Sequence, residues 1–375
     1  MMRYTKTKVL SILFVAGSFS VFSQSPYTFT DITKINTLEV EDQCATGTCW
    51  SFATNSFLEA EVFRIGKTPV DLSEMFNVRM IYPKKASSFI RFDGKQQFGP
   101  GGLSHDVISV VKNHGIMPES VYSGLLDGAT THQHGTLDEL LSTMVKTVID
   151  KKLHQESSIW MESIEGVLDA CLGSVPDKFQ VAGKEFTPAS YRDYLGIKAD
   201  DYVNLSSFSH HPFYSTFVLE VPDNWAISRY YNLPLDEFHS VIDNALDRGY
   251  TVAWDADVSE KYFSHSNGIA IVPESSVTKE DLFKKIVGEQ TVDQAMRQKA
   301  FDSGETTDDH LMHITGKSKD QNGVIYYKTK NSWGKSNPFG GYLHVSPSYL
   351  RYKTVGIVVH KDAIPDEIKQ KLGLK

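Results

Sequence analysis

Hydrophobic residues recur at helical spacing through much of the first half of the chain. Residues 49–65 contain no glycine or proline, and Ala53, Phe57 and Ala60 would share one face of a helix that begins near Cys49. The same periodicity predicts three further helices: 103–115, 136–148 (with Thr136 and Glu139 as a capping-box pair) and 234–249.

Strand-like patterns are concentrated in the last third of the chain. Five short runs are rich in β-branched or aromatic residues: 251–254, 311–315, 324–329, 342–345 and 355–359. Helices that precede and are separated from strands indicate an α+β fold with two lobes. Residues 123–209 show the least regular pattern and are interpreted as an inserted, partly helical region. The predicted organisation is therefore a helical lobe (24–122), the insertion (123–209) and a β-rich lobe (210–375).

The first 23 residues have the pattern of a secretory signal peptide. Residues 1–8 are basic, and the 14 residues from 9 to 22 carry no charge. As a helix this apolar run would be about 21 Å long, which is short of the roughly 30 Å hydrocarbon core of a bilayer. We expect cleavage near Gln24, no membrane span in the mature chain, and export to the periplasm or the extracellular space. An N-terminal anchor that is never cleaved is the alternative.

Composition and charge narrow the class of function. The chain is 41% hydrophobic and 22% charged, as expected of a globular protein, and its net charge of −8 argues against a nucleic-acid partner. Three cysteines cannot supply a disulfide framework for 375 residues, although Cys44 and Cys171 could pair in an oxidising compartment.

Motifs for nucleotides and metals are incomplete. The glycines required around Gly316 and Gly99 are missing, and no HExxH motif occurs. His132 and His134 are interpreted as solvated loop histidines rather than metal ligands. The sequence therefore predicts neither a metal nor a cofactor.

Cys49 is a candidate nucleophile because it stands at the start of a predicted helix. The positive end of the helix dipole favours a thiolate there. Gln43, six residues upstream, carries an amide that could join the Cys49 backbone N–H as a second donor to an oxyanion. The alternative is that Cys49 is a small buried apolar residue without reactivity.

A cysteine nucleophile needs an imidazole partner that is oriented by a third group. The strand pattern of residues 309–316 puts His310 and His313 on opposite faces, and this argument allows either one. Asn331 follows the next predicted strand and could accept a hydrogen bond from an imidazole. Trp333 could shield that bond from water.

Together these segments resemble the papain-like cysteine peptidases. The resemblance rests on Gln43 six residues before Cys49-Trp50, on Asp309-His310, and on the segment from Asn331 to Gly334. Separations of 261 residues from cysteine to histidine and 282 to asparagine exceed the roughly 130–150 of papain and the cathepsins. The excess resembles the bleomycin hydrolase / aminopeptidase C branch, whose lobes are separated by a long insertion. Four further segments resemble that branch: 72–74, 100–102, 231–235 and 358–360.

The resemblance implies a papain-like two-lobe fold, peptide substrates and a role for each site residue. Cys49 would be the nucleophile, and His310, which follows Asp309 and precedes Gly316 by six positions, would be the general base. The remaining roles implied by the resemblance are an orienting amide (Asn331), an oxyanion donor (Gln43) and substrate-binding residues (Gly101, Gly102 and Trp333).

Some features depart from the wider family or from the branch and leave alternatives open. Thr46 replaces the structural cysteine that papain-like enzymes usually have before the nucleophile, and the resemblance implies the same absence in the bleomycin hydrolase branch. The branch carries a C-terminal arm that confers aminopeptidase selectivity, and we expect the segment 372–375 to stop short of it. A secreted endopeptidase with an open cleft is therefore one alternative, and the hexameric assembly of the branch stays an open question. A non-catalytic papain-like binding protein and a transglutaminase-like acyltransferase are the others.

Overall fold

The computed structural model describes residues 25–278 and 280–374. The predicted signal peptide, residues 1–23, lies outside the described residues. Within the described part of the chain, no helix combines the length and the apolar character needed to cross a bilayer.

Helices dominate the N-terminal half of the described chain and recur singly among the later strands. Their bounds are α1 (Cys49–Arg64), α2 (Glu74–Arg91), α3 (Ser104–Asn113), α4 (Gly135–Asp150), α5 (Ile159–Leu172), α6 (Pro188–Leu195), α7 (Leu235–Asp247), α8 (Gln294–Asp302), α9 (Pro347–Lys353) and α10 (Asp366–Leu372).

Most strands form one large mixed sheet. The strands are β1 (Phe29–Lys34), β2 (Phe179–Val181), β3 (Lys184–Phe186), β4 (Tyr202–Ser206), β5 (Thr216–Val218), β6 (Arg229–Asn232), β7 (Val252–Ala256), β8 (Phe263–Ser264), β9 (Ile269–Ala270), β10 (His310–Asp320), β11 (Ile325–Lys330), β12 (Tyr342–Val345) and β13 (Thr354–His360). The sheet order is β5-β6-β4-β13-β7-β10-β11-β12-β9-β8, with β1 also paired to β10, while β2 and β3 form a separate hairpin. The central pairs of β7 with β10 and of β7 with β13 are antiparallel.

The α+β prediction is confirmed. The four predicted helices correspond to α1, α3, α4 and α7, and the five predicted strands to β7 and β10–β13. The predicted capping box was wrong, because α4 begins one residue before Thr136 and its cap residue His134 makes no side-chain capping hydrogen bond.

The region predicted as an insertion packs on the helical lobe. Leu141 of α4 and Ile164 and Leu168 of α5 are fully buried in the same apolar core as α1–α3. The last strand within the predicted range, β4, instead pairs with β13 of the large sheet. Residues 202–206 are therefore part of the sheet, and the boundary at residue 209 stays a prediction.

Helix α1 lies between the helical core and the sheet. Its side chains Trp50 and Phe57 share an apolar core with Ala253 of β7 and Leu311 of β10. Ser56 of α1 also contacts the sheet, with its Oγ 2.9 Å from His313 Nδ1. This packing brings the N-terminal end of α1 to the first residues of β10, where the candidate active site lies.

Candidate active site

Cys49 is the first residue of α1 and is partly exposed. The backbone N–H groups in the first turn of a helix have no intrahelical partner, so the sulfur lies beside free hydrogen-bond donors. The backbone of Leu311, the residue after His310, lowers the pKa of the Cys49 thiol, in opposition to a larger effect of burial. The nucleophile candidate and the start of β10 therefore meet at one place.

His310 is held by an amide from the neighbouring strand end. Its Nε2 lies 2.7 Å from Asn331 Oδ1, which also accepts the Ser332 backbone N–H at 2.8 Å. Because that oxygen can only accept, Nε2 carries the imidazole hydrogen and Nδ1 is left with a free lone pair. The Trp333 ring lies 4.5 Å from the imidazole ring and covers this contact.

His313 faces a different environment. Its side chain is fully buried against α1, where Nδ1 contacts Ser56 Oγ. The alternation along β10 thus sends the two histidines to different partners: His310 to Asn331 and His313 to Ser56.

Gln43 is fixed between the two lobes. Its Oε1 accepts a hydrogen bond from Ser332 Oγ at 2.7 Å, and its backbone N–H donates to the Ser332 carbonyl at 2.9 Å. Its Nε2 donates to the Thr46 carbonyl at 2.8 Å. An amide nitrogen carries two hydrogens, so one of them is left for a ligand.

The glycine loop lies against the start of α1. Trp50 Nε1 donates to the Pro100 carbonyl at 2.9 Å, and the buried Lys85 ammonium donates to the carbonyls of Gly99 and Gly101. A Cβ at Gly101 would lie 2.1 Å from Asp223 Oδ2, and one at Gly102 would meet Trp50 at 3.1 Å. Both positions therefore require glycine for close packing beside the nucleophile.

The resting electrostatics differ from the expectation of a thiolate. Burial, with a smaller effect of nearby carboxylates, raises the pKa of the Cys49 thiol to about 12. Burial lowers the pKa of His310 to about 4, with a partly opposing effect from the Asn331 hydrogen bond. Both shifts favour a neutral thiol beside a neutral imidazole, so the proton must move when the thiol attacks.

Several residues of the site had not been singled out from the sequence. Asp308, Asp255 and Asp223 raise the pKa of the Cys49 thiol through their charges. His265 accepts a hydrogen bond from Asn331 Nδ2 at 3.1 Å. The position of Asp308 two residues before His310 was an available signal, whereas the long-range contacts of the others left none.

The interpretation of His132 and His134 as solvated was wrong for His134, whose side chain is buried at the start of α4. Burial lowers the pKa of both imidazoles to about 4, which keeps them neutral. Cys44 and Cys171 are both free thiols in the structure, without a disulfide between them.

Comparison with known proteins finds relatives along most of the chain. The model of the Peptidase C1-like family matches residues 84–374, which include His310 and Asn331. Aminopeptidase C of Streptococcus thermophilus is 24% identical, over 90% of this chain and 83% of that protein. Aminopeptidase C of Lactococcus lactis subsp. cremoris is 23% identical, over 97% and 88% respectively. The crystal structure of PepW from Lactobacillus rhamnosis HN001 shares the fold, with a TM-score of 0.70, 20% identity and coverage of 92% of this chain and 84% of that one.

Proposed function

The chain belongs to the Peptidase C1-like family, and from this membership we propose that it is a thiol aminopeptidase that releases residues from the free N-terminus of peptides. The family match confirms the resemblance to cysteine peptidases that the sequence carried. The aminopeptidase activity is proposed because the relatives aligned over most of the chain are named Aminopeptidase C.

The arrangement around His310 is the observation that best supports the proposed catalytic roles. The His310 imidazole is held by Asn331 at 2.7 Å and covered by Trp333, at the point where β10 meets the cysteine at the start of α1. This arrangement supplies a nucleophile, a base with a fixed tautomer and an orienting amide, which is what nucleophilic acyl transfer requires.

The reaction follows from these contacts. His310 Nδ1 takes the thiol proton as the Cys49 sulfur attacks the carbonyl carbon of the scissile bond. The Gln43 amide and the Cys49 backbone N–H donate to the oxygen that becomes negative. His310 then gives its proton to the leaving amine, and the bond between carbon and nitrogen breaks. Water, deprotonated by His310, attacks the thioester carbon; the bond between carbon and sulfur breaks, the acid is released, and His310 returns the proton to the Cys49 sulfur.

The compartment is part of the proposal. The basic residues 1–8 and the uncharged run 9–22 support cleavage of a signal peptide and export to the periplasm or the extracellular space. Expression of the full chain, followed by N-terminal sequencing of the protein in each cell fraction, tests this. Recovery of protein beginning at Met1 only in the cytoplasm would contradict it.

Hydrolysis of a peptide library with free and with acetylated N-termini tests the activity. We expect sequential release of N-terminal residues from free peptides by the wild-type protein and no release by Cys49→Ala. Internal cuts in acetylated peptides would identify an endopeptidase instead. Binding of peptides without turnover would identify a non-catalytic protein.

A further inference from the structure

Three aspartates lie close enough to the Cys49 thiol for their charges to raise its pKa: Asp308, Asp255 and Asp223. Asp255 is 4% exposed, and its carboxyl oxygens have no donor among the described residues. It shares a proton with the buried carboxyl group of Asp308, and burial and the charge of Asp308 hold the pKa of Asp255 well above its usual value. The adjacent Asp309 differs, because its carboxylate accepts hydrogen bonds from the backbone of Ser259 and from Thr307.

The sheet register directs Asp255 toward the nucleophile. Asp255 pairs with Leu311 of β10 on one side and with Gly356 of β13 on the other, and both pairs are antiparallel. Directly opposed residues of antiparallel strands project to the same face. Leu311 packs in the apolar core with Trp50 of α1, so the Asp255 carboxyl points to the α1 side of the sheet.

The Tyr230 ring packs beside this carboxyl. Gly356 has no side chain, and a Cβ there would lie 2.8 Å from the Tyr230 ring. Across the cleft, Asp223 packs on Gly101 and accepts a hydrogen bond from Gln97 Nε2 at 2.7 Å. The nearby Lys85 ammonium is occupied by the carbonyls of Gly99 and Gly101.

A cluster of buried carboxylates without a cation beside it is energetically unfavourable. Two buried carboxyl groups that share one proton still carry one negative charge, which has lost its hydration and has no cation beside it in return. This charge also opposes formation of a thiolate at Cys49, which the reaction requires. A bound cation would remove both penalties, and a buried carboxyl pair on the α1 side of the sheet is therefore a ligand-binding feature.

We propose that Asp255, Asp308 and Asp223 form an anionic subsite that binds the α-ammonium group of the substrate's N-terminal residue. This inference rests on the proposed function and specifies how the free N-terminus is recognised. In a peptide cleaved after its first residue, the ammonium nitrogen lies only about 2.5 Å from the scissile carbonyl carbon. The ammonium must then lie close to the Cys49 sulfur, which feels the charges of all three aspartates.

The test compares three coumarin amides: alanine, N-acetyl-alanine and N-acetyl-lysyl-alanine. The quantity compared is the selectivity ratio, kcat/KM for the alanine amide divided by kcat/KM for the N-acetyl-alanine amide. In the double variant Asp255→Asn/Asp308→Asn we expect this ratio to fall about 10- to 100-fold, the range typical for loss of a charge-assisted hydrogen bond. Asp308→Glu keeps a carboxylate and should retain most of the ratio. Glu139→Gln removes an exposed charge from α4 and should leave the ratio unchanged.

An unchanged ratio in an active double variant would overturn the subsite and leave the aminopeptidase proposal standing. Loss of activity on the lysyl substrate alone would also overturn it, because the aspartates would then recognise a basic side chain. If the wild-type protein hydrolyses neither the alanine amide nor the N-acetyl-alanine amide, the proposed function is overturned instead.

A binding measurement on an inactive variant tests the proposed ammonium subsite in the absence of turnover. In Cys49→Ala, calorimetry should show that dialanine amide binds more tightly than N-acetyl-dialanine amide. Adding Asp255→Asn and Asp308→Asn should abolish this difference. Equal affinities of the two peptides in Cys49→Ala would overturn the subsite, whether or not the wild-type protein is active.

Discussion

Ser332 donates a hydrogen bond to the Gln43 side-chain oxygen at 2.7 Å and thereby joins the sheet to the segment that precedes α1. The contact lies one residue after Asn331, so the oxyanion amide and the orienting amide are positioned by the same turn. It also sets the direction of the Gln43 side chain, whose nitrogen donates to Thr46 on the opposite side.

Removal of this contact should lower turnover through Gln43. Gln43→Ala deletes an oxyanion donor and should reduce kcat about 10²- to 10³-fold. Ser332→Ala leaves the Gln43 oxygen without its partner, and we expect a loss of about tenfold in kcat with little change in KM. In the double variant the loss should equal that of Gln43→Ala alone, as steady-state kinetics can establish. Multiplicative effects would show that Ser332 acts independently of Gln43.

Substitution of His310 should lower activity, whereas substitution of His313 should lower the stability of the fold. His310→Ala removes the proposed base and should lower kcat/KM by about 10²- to 10⁴-fold with an unchanged urea midpoint. His313→Ala removes a fully buried ring and its contact with Ser56, so it should lower the free energy of unfolding by about 2–4 kcal/mol. Kinetics at low temperature and urea denaturation measure the two effects. Loss of kcat/KM in folded His313→Ala equal to that in His310→Ala would contradict the assignment.

Local patterns in the sequence predicted the elements that carry the proposed nucleophile and base. The run without glycine or proline after Cys49 became α1, and alternation around His310 became β10, because both patterns reflect burial of one face. Alternation alone could not choose between His310 and His313, since each faces a real partner. That choice came from the family resemblance.

Other features depended on contacts that no local pattern encodes. Helix α2 was not predicted because Pro83 lies inside it, yet tertiary packing buries Met75 and Ile81 there. The capping pair around Thr136 failed because α4 begins earlier, at Gly135. Asp255 was hidden inside a buried strand, where only pairing with Leu311 and Gly356 reveals that its carboxyl faces the α1 side of the sheet.

The charge of Asp308 should slow chemical modification of Cys49. Asp308 is the first of the carboxylates that raise the pKa of the thiol by charge, after the effect of burial. Burial raises the pKa of Asp308 itself to about 7, so the carboxylate is mostly ionised at pH 8. Asp308→Asn should therefore increase the rate of alkylation by iodoacetamide at pH 8 several-fold.

Mass spectrometry of the peptide that contains Cys49 separates this reaction from alkylation of Cys44 and Cys171, which are also free thiols. Glu139→Gln is the control, because it removes an exposed charge on α4 and should leave the rate unchanged. The rate should differ less at pH 5.5, where Asp308 is mostly protonated. A slower reaction of Asp308→Asn at pH 8 would contradict the effect of its charge on the thiol.

A second group of carboxylates includes Glu59 of α1 and should make the stability of the fold depend on pH. Glu59 is 1% exposed, its Oε1 accepts the Leu72 backbone N–H at 3.0 Å, and its Oε2 has no partner among the described residues. Oxygens of Glu41 and Asp71 lie within 4.8 Å of a Glu59 oxygen. Burial raises the pKa of Glu59 to about 7, although the charge of Lys330 opposes this shift.

Because the folded protein holds the Glu59 proton more tightly than the unfolded chain does, this group stabilises the fold fully below the unfolded pKa of about 4.5. The contribution is lost as the pH rises through about 7. Glu59→Gln keeps the acceptor for Leu72 and resembles the protonated acid at every pH. It should therefore exceed the wild-type protein in stability by on the order of 2 kcal/mol at pH 8, and the difference should shrink as the pH falls toward 4.5. Urea denaturation at pH 5, 6.5 and 8 measures this, with Glu139→Gln as the exposed control. Equal stability of Glu59→Gln and wild-type protein at all three values would show that Glu59 is ionised in the fold without penalty.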